Sequence, residues 1–196
     1  MSKIIDDLDI RIMKSLSEDC RKSTTQIAKE AGISRPTAIA RMNELAKINL
    51  LDFGAKVNIE KLGFKLALIT LETDETQRRQ EIVDKLAACP RVLQLFQAIA
   101  KPIYTALVCA ETAETLLSSI ECIKNVLSAR IISWQRVKPI IGETFSLKIF
   151  LEKCELTPCG KKCAICVSYT ESDCVGCPAT TDYKSPRISL QDSQEI

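Results

Sequence analysis

The first fifty residues place apolar side chains at the spacing of amphipathic helices. Four of them recur at steps of three or four residues and share one helical face: Ile5, Leu8, Ile12 and Leu16. A second helix is predicted over residues 24–31, because Gly32 follows it where helices commonly end. Ser34 is placed to cap a third helix, whose predicted buried stripe is Ile39, Met42 and Leu45. A short helix, a tight turn and another helix predict a helix-turn-helix, whose second helix enters the major groove of DNA.

From residue 64 onward the hydrophobic pattern alternates between strands and helices. The predicted elements are strands over residues 65–73, 92–100, 104–110 and 131–138, and helices over residues 74–88 and 111–127. The second of these helices is expected to bury Leu116, Leu117, Ile120 and Ile123. The order β-α-β-β-α-β predicts a ferredoxin-like arrangement. A fifth strand is predicted over residues 139–153. The N-terminal helices and the ferredoxin-like arrangement together predict an α+β fold class.

Local charge favours a nucleic-acid partner for the helical region. Six basic residues stand against two acidic ones between Arg21 and Lys47, although the net charge of the whole chain is +2. Four residues of the third helix fall outside its predicted buried stripe and are candidates to face bases or phosphates: Arg35, Thr37, Ala38 and Arg41. The alternative interpretation is the solvated face of an ordinary three-helix bundle.

Residues 8–63 resemble the start of the Lrp/AsnC (feast/famine) family of transcription regulators. The matching residues are Leu8, Asp9, Ile12, Arg21, Ser23, Ile27, Ala28, Gly32, Ser34, Arg41, Leu45, Leu62 and Gly63. The resemblance implies a winged helix-turn-helix with a hinge over residues 1–60 and a ferredoxin-like dimerisation domain over residues 61–153. It adds Arg21 and Ser34 to the DNA-binding candidates. It also implies double-stranded operator DNA as a partner and a homodimer or higher homo-oligomer.

The loop that precedes the predicted third strand departs from the family pattern. In relatives that sense amino acids, this loop usually carries glycine and aspartate. Here it reads Ala100-Lys101-Pro102-Ile103-Tyr104. We therefore expect that this chain does not bind a free amino acid through this loop, and that the ferredoxin-like domain serves for dimerisation.

The sequence argues against a secreted protein, a membrane protein and an enzyme. No secretory leader pattern and no apolar run of roughly 18 residues is present, so we expect a cytoplasmic protein without a membrane partner. The chain has no histidine, no glycine-rich phosphate loop and no convergent acid–base set, so we do not expect an enzyme. Cytosolic thiols stay reduced, which favours metal or redox roles over disulfides for clustered cysteines.

Six of the ten cysteines fall within residues 154–177, spaced Cys154-x4-Cys159-x3-Cys163-x2-Cys166-x7-Cys174-x2-Cys177. Two pairs have the two-residue gap that lets both thiolates point at one ion. Few large apolar residues surround them, so we expect a metal to stabilise a cysteine-rich module over residues 154–178. The other four cysteines are interpreted as small apolar residues and not as ligands: Cys20, Cys89, Cys109 and Cys122.

The metal can be an iron–sulfur cluster, zinc, or a soft metal such as copper. A 4Fe-4S cluster favours Cys159, Cys163, Cys166 and Cys177, because the first three match a known three-cysteine spacing and Cys177-Pro178 resembles the last ligand of bacterial ferredoxins. Zinc (Zn2+) favours Cys163, Cys166, Cys174 and Cys177 as two knuckles. Cys154 is then spare or a redox-active thiol. The spacing Cys154-x19-Cys174-x2-Cys177 is also similar to the TRASH metal-sensing module of some archaeal regulators, which has three residues in the last gap.

Together these patterns predict a sequence-specific transcription regulator that is tuned by metal or redox state at its cysteine site. One alternative is a regulator of the same family with a purely structural zinc site and a different effector. Another is a metal-handling or electron-transfer protein that uses its helix-turn-helix as an interaction module. Residues 179–196 are polar and are expected to form a disordered tail.

Overall fold

A computed structural model of the chain describes residues 5–74, 79–99 and 102–185. The chain divides into two compact units, Met1–Ala55 and Lys56–Ile196, and each has its own hydrophobic core. The division therefore precedes the position expected from the sequence by five residues. None of the described helices is long and apolar enough to cross a membrane.

Three helices make up the described part of the N-terminal unit: α1 (Asp7–Glu18), α2 (Thr24–Ala31) and α3 (Arg35–Lys47). Each begins at a side chain that accepts a hydrogen bond from the backbone amide three residues ahead, namely Asp6, Ser23 and Ser34. The predicted apolar stripe of α1 packs against α2 through Ile12, Leu16, Ile27 and Ala31. The predicted helix-turn-helix is confirmed.

The buried face of α3 differs from its prediction by one residue. Ala38 and Leu45 are completely buried, whereas Ile39 is exposed. Ala38 sits on the inner face because its small side chain lets α3 approach the other helices closely. The prediction that Ala38 contacts DNA is therefore wrong.

The wing expected after α3 is not formed within the N-terminal unit, since no strand occurs between residues 5 and 55. The strand predicted there is β1 (Val57–Asn58), which belongs to the second unit. It pairs with β6 (Thr144–Phe145) in an antiparallel two-stranded sheet.

The second unit contains an antiparallel sheet of β2 (Lys65–Glu72), β3 (Val92–Gln97), β4 (Ile103–Ala110) and β5 (Arg130–Val137), in the order β3-β4-β2-β5. The helices α4 (Arg79–Ala88) and α5 (Ala113–Leu127) complete the predicted β-α-β-β-α-β order. Side chains alternate between the two faces of β2. Ala67, Ile69 and Leu71 therefore share a core with α4 and α5, and Leu66 joins a second cluster on the other face.

Two apolar predictions in this unit need correction. Leu117 is 48% exposed, and the polar side chains of Thr115 and Ser119 are buried on α5 in its place. The strand predicted over residues 139–153 is reduced to Thr144–Phe145. Its alternating apolar residues continue with Ile149 and Leu151, but both are exposed and lie outside the described strands.

The segment after residue 153 belongs to the same compact unit and has its own short elements. It contains a 3-10 turn at Cys163–Ile165 and a one-turn helix, α6 (Val167–Thr170). Its two ends meet where the Cys154 amide donates to Ala179 and the Thr181 amide donates to Cys154, each at 3.0 Å. The cysteine-rich module (residues 154–185) is thus longer than predicted, and the rest of the expected disordered tail, residues 186–196, lies outside the described residues.

Candidate functional site

The helix-turn-helix presents two of its predicted DNA-binding residues on the exposed side of α3, Arg35 and Thr37. The Ser34 hydroxyl lies 2.7 Å from the Thr37 hydroxyl, which fixes both at the first turn of the helix. The Arg35 Nε donates to the Thr24 hydroxyl at 3.2 Å, so the side chain bridges α3 and α2. The first turn of α3 therefore carries hydroxyls and a cation, the groups that contact DNA phosphates.

Arg41 also has a role inside the N-terminal unit. Its Nη1 lies 3.0 Å from a carboxylate oxygen of Asp6 and 3.4 Å from one of Asp9. The Asp9 side chain is completely buried, and the Asp9 amide and then Arg41 lower the pKa of Asp6. This arrangement ties α3 to the start of α1, so Arg41 supports the position of the recognition helix.

Arg21 has an 87% exposed side chain, and in the described contacts it is paired only with the nearby Asp19 at 3.0 Å. Asn43 and Lys47, which were not among the predicted DNA-binding residues, are also exposed on α3. A signal for Asn43 was present, because it lies two turns after Pro36 on the exposed side of the same helix. Asparagine is a residue that pairs with adenine in the major groove.

The second unit contains a cavity of about 500 Å³ that is lined by thiols. Seven cysteine side chains contribute to its wall: Cys89, Cys122, Cys159, Cys163, Cys166, Cys174 and Cys177. Five of these were predicted as metal ligands. The sixth predicted ligand, Cys154, is exposed and does not line the cavity.

Two of the lining thiols come from the ferredoxin-like domain and were interpreted from the sequence as small apolar residues. Cys89 follows the C-terminal end of α4, and Cys122 lies on α5. Cys122 is half-buried and is the immediate neighbour of the buried Ile123, so it stands at the edge of the apolar stripe. Spacing along the chain could not reveal either residue, because both are far in sequence from the clustered cysteines.

The cysteine-rich module is held on the ferredoxin-like domain by a buried ion pair. Arg91 and Glu111 form this pair, with 6% and 2% of their side chains exposed. Arg91 also donates to the Gly176 carbonyl at 2.5 Å, and the Tyr183 hydroxyl donates to Glu111 at 2.6 Å. These contacts are made by protein groups and stabilise the docked module.

Gly176 is required at this docking point. Its φ of +83° lies in the left-handed region, and an added Cβ would stand 3.1 Å from the Asp182 carbonyl and 3.2 Å from the Tyr169 ring. Next to it, the Val175 amide donates to the Thr115 hydroxyl at 3.0 Å. The buried Thr115 of α5 thus has a partner in the module.

The thiols around the cavity differ in acidity. Burial raises the pKa of Cys177 to about 12 and also raises the pKa of Cys89. A hydrogen bond from the Cys122 thiol, followed by one from the Thr157 hydroxyl, lowers the pKa of Cys159 to about 6. The same contact with Cys159, together with burial, raises the pKa of Cys122. Cys159 is therefore more readily ionised than Cys89, Cys122 and Cys177.

The charge of the cavity wall suits anionic sulfur. Four cations line it, and they are Lys85, Arg91, Lys161 and Lys162. Arg91 is paired with the buried Glu111, and Lys162 lies 3.7 Å from Glu155, so Lys85 and Lys161 are the cations of the wall that face Glu121 without a carboxylate partner among the described ion pairs. Within the described part of the chain, no three cysteine, aspartate or glutamate side chains converge in a way that could hold one metal ion. The seven cysteine side chains instead line the wall of one cavity.

The N-terminal unit matches a known domain. Residues 5–46 match the AsnC-type helix-turn-helix domain. The regulator LrpA of Pyrococcus horikoshii is 29% identical over 118 residues, which are 60% of this chain and 84% of LrpA. The regulator Ptr1 of Methanocaldococcus jannaschii is 27% identical over 129 residues, which are 65% of this chain and 82% of Ptr1. Both proteins are described as HTH-type transcriptional regulators.

Solved structures share the fold. The leucine response regulatory protein LrpA of Mycobacterium tuberculosis superposes with a TM-score of 0.65 at 18% identity, over 71% of this chain and 97% of that one. The regulator NMB0573 of Neisseria meningitidis, solved with L-methionine, gives a TM-score of 0.56 at 18% identity, over 74% and 97%. These neighbours are covered almost completely, whereas at least a quarter of this chain has no counterpart in them.

Proposed function

We propose that this chain, a DNA-binding transcriptional regulator of the Lrp/AsnC type, responds to metal supply or redox state through its thiol-lined cavity. In this proposal the cavity holds an iron–sulfur cluster or a soft metal ion. The state of the site then changes the affinity of the helix-turn-helix for DNA. The partner is a double-stranded operator, read by a homodimer or a higher homo-oligomer.

The exposed side of α3 supports operator binding. It carries Arg35, Thr37, Asn43 and Lys47, which combine cations for phosphates with an amide for base edges. We propose that Asn43 and Thr37 contact base edges and so recognise the operator sequence.

Exposed apolar residues on the ferredoxin-like sheet support self-association. Trp134 and Ile132 on β5 are 45% and 44% exposed, and Phe96 on β3 is 56% exposed. The two strands form the opposite edges of the sheet. Apolar side chains at such edges favour burial against another protein surface.

The observation that carries the sensing proposal is the concentration of seven cysteine side chains around one cavity. Four zinc-bound sulfurs must lie about 2.3 Å from a single ion. No such convergence exists among the described residues. A 4Fe-4S cluster binds its four cysteines through separate iron atoms, so thiols spread around a cavity of about 500 Å³ fit a cluster better than a single ion.

Cys163, Cys166, Cys174 and Cys177 are the ligands that we propose, so Cys174 takes the place of Cys159, which the spacing along the chain had favoured for a cluster. They form the two pairs with a two-residue gap, and all four line the cavity. When bound, a cluster would supply reversible one-electron chemistry. The protein contributes the four sulfurs and the cations of the wall, which offset the negative charge of the ligands.

The test begins with the full chain purified without oxygen and analysed for iron, sulfide and zinc. We expect a brown protein with iron and sulfide, and loss of both from the double variant Cys163→Ser/Cys166→Ser. Cys20→Ser is the matched control, because Cys20 is an exposed thiol of the other unit. The control should retain the wild-type metal content.

The same proteins are then compared for binding to an operator selected from random DNA, before and after exposure to oxidant or chelator. We expect the wild type and Cys20→Ser to change affinity at least tenfold, and the double variant to show no change. If the protein is colourless, contains zinc and keeps the same DNA affinity after the metal is removed, the site is a structural zinc site. An unaltered response in the double variant would exclude the cavity as the sensor.

A further inference from the structure

Cys122 and Cys159 form a thiol pair that joins two separate parts of the second unit. Cys122 lies on α5, and Cys159 lies 37 residues later in the cysteine-rich module. The two thiols line the same cavity, and contact between them lowers the pKa of Cys159 and raises the pKa of Cys122. Both side chains are half-buried and line the cavity, so a small molecule that enters the cavity can reach them.

A closed loop holds Cys159 in this position. The Thr157 amide donates to the Lys161 carbonyl at 2.8 Å, and the Lys161 amide donates back to the Thr157 hydroxyl at 2.8 Å. The same buried hydroxyl lies 3.1 Å from the Cys159 sulfur. Gly160 allows the turn with a φ of +81°. The loop therefore holds the Cys159 sulfur in place by its own hydrogen bonds.

We propose that Cys122 and Cys159 are a peroxide-reactive dithiol, separate from the four-cysteine metal site, that forms a disulfide between α5 and the cysteine-rich module. The Cys159 sulfur attacks hydrogen peroxide, the O–O bond breaks, and a sulfenic acid and one water form. The Cys122 sulfur then attacks the sulfenic sulfur, the S–O bond breaks, and a second water leaves as the S–S bond forms. The two thiols lose two electrons and two protons, and peroxide is reduced to two waters.

The disulfide adds a covalent link at a point where the module otherwise depends on noncovalent contacts. Its sulfur atoms join a regular helix of the ferredoxin-like domain to a loop. Formation of the bond therefore restricts opening of the cavity on the side of α5, whereas reduction releases it. This second input needs no bound metal, so it is distinct from the metal ion or cluster proposed for the same cavity.

The test treats the reduced full chain with hydrogen peroxide, blocks the remaining thiols with iodoacetamide, and maps the peptides by mass spectrometry. We expect the first disulfide to join the peptides that contain Cys122 and Cys159, with loss of two thiols per chain. In Cys122→Ser, the crosslink should be absent and Cys159 should be trapped as a sulfenic acid by dimedone. Cys109→Ser is the matched control, because Cys109 is a buried cysteine of the same domain that does not line the cavity, and it should retain the crosslink.

Three results would overturn the proposal. The first is an initial disulfide that joins other cysteines. The second is equal thiol loss in wild type and Cys122→Ser with no sulfenic acid trapped. The third comes from repeating the reaction with and without a chelator: a crosslink that forms only after metal removal would place Cys159 among the metal ligands. Because the wild-type crosslink is itself the main readout, the test does not depend on the folding of any variant.

Discussion

The Arg91 guanidinium and the Glu111 carboxylate form an ion pair that is almost completely buried beneath the cysteine-rich module. Arg91 reaches the Gly176 carbonyl, and Tyr183 reaches Glu111, so both partners also bind the module. A buried charge is stabilised by its ion-pair partner, and removing one partner leaves the other charge buried and uncompensated. The pair therefore couples the stability of the ferredoxin-like domain to the docking of the thiols.

Replacing Arg91 with alanine should strongly destabilise the second unit. The change leaves the Glu111 carboxylate buried without its cation, which costs about 3–5 kcal/mol of unfolding free energy. Chemical denaturation of the full chain measures this loss, and faster alkylation of the cavity thiols reports release of the module. Arg130→Ala is the control, because the pair of Arg130 with Glu72 is largely exposed and contributes less than about 1 kcal/mol. Equal effects in the two variants would contradict the docking role.

Arg41→Ala should lower the stability of the N-terminal unit as well as its affinity for DNA. The substitution removes a hydrogen-bonding partner from the completely buried Asp9, at a cost of about 1–3 kcal/mol in unfolding free energy. Denaturation followed by helical circular dichroism measures it. Arg21→Ala is the control, since Arg21 is exposed and pairs only locally with Asp19 among the described contacts, and it should leave stability nearly unchanged.

The DNA affinity of Arg41→Ala needs a separate measurement, made where the variant is fully folded. If Arg41 acts only through α1, the salt dependence of DNA binding should equal that of the wild type. A direct phosphate contact would instead reduce the slope of log affinity against log salt concentration by about one unit. The two outcomes separate the structural role of Arg41 from the contact predicted by the sequence.

Asn43→Ala should reduce discrimination between operator and random DNA. A bidentate contact of asparagine with adenine contributes about 1–3 kcal/mol of discrimination, and Asn43 is exposed on α3. Lys47→Ala is the comparison, because a phosphate contact by Lys47 would weaken binding to both DNAs alike. Competition binding with a selected operator and a scrambled duplex measures both changes. A uniform loss of affinity in Asn43→Ala would mean that this residue reads no base.

The sequence predicted those features that depend on neighbouring residues. Ser34 and Gly32 mark their helix ends in the structure, because capping and left-handed turns are local properties. The prediction for residues 139–153 failed since an alternating apolar pattern forms a strand only where a partner strand is available. Cys89 and Cys122 could not be assigned to the cavity, because their proximity to the module results from long-range contacts such as that of Arg91 with Gly176.

The acidity of Cys159 gives a prediction for the reduced, metal-free chain. Its pKa of about 6 is lower than that of an unperturbed thiol, first because of the hydrogen bond from Cys122. Iodoacetamide should therefore modify Cys159 with a midpoint near pH 6. Cys109, whose pKa burial raises to about 12, is the internal control and should stay unmodified near neutral pH. Removing the donor in Cys122→Ala should move the midpoint for Cys159 upward.

The same pKa shift makes the stability of the second unit depend on pH. The folded-state pKa of Cys159 is lower than its unfolded value of about 8.5, so the folded state favours the thiolate. This contribution is complete at pH values above about 8.5 and is lost as the pH falls through about 6. Cys122 has a raised pKa and remains protonated in that window. Urea denaturation at pH 8 and pH 6 should show a decrease in stability that Cys159→Ser abolishes, and an identical decrease in that variant would contradict the assignment.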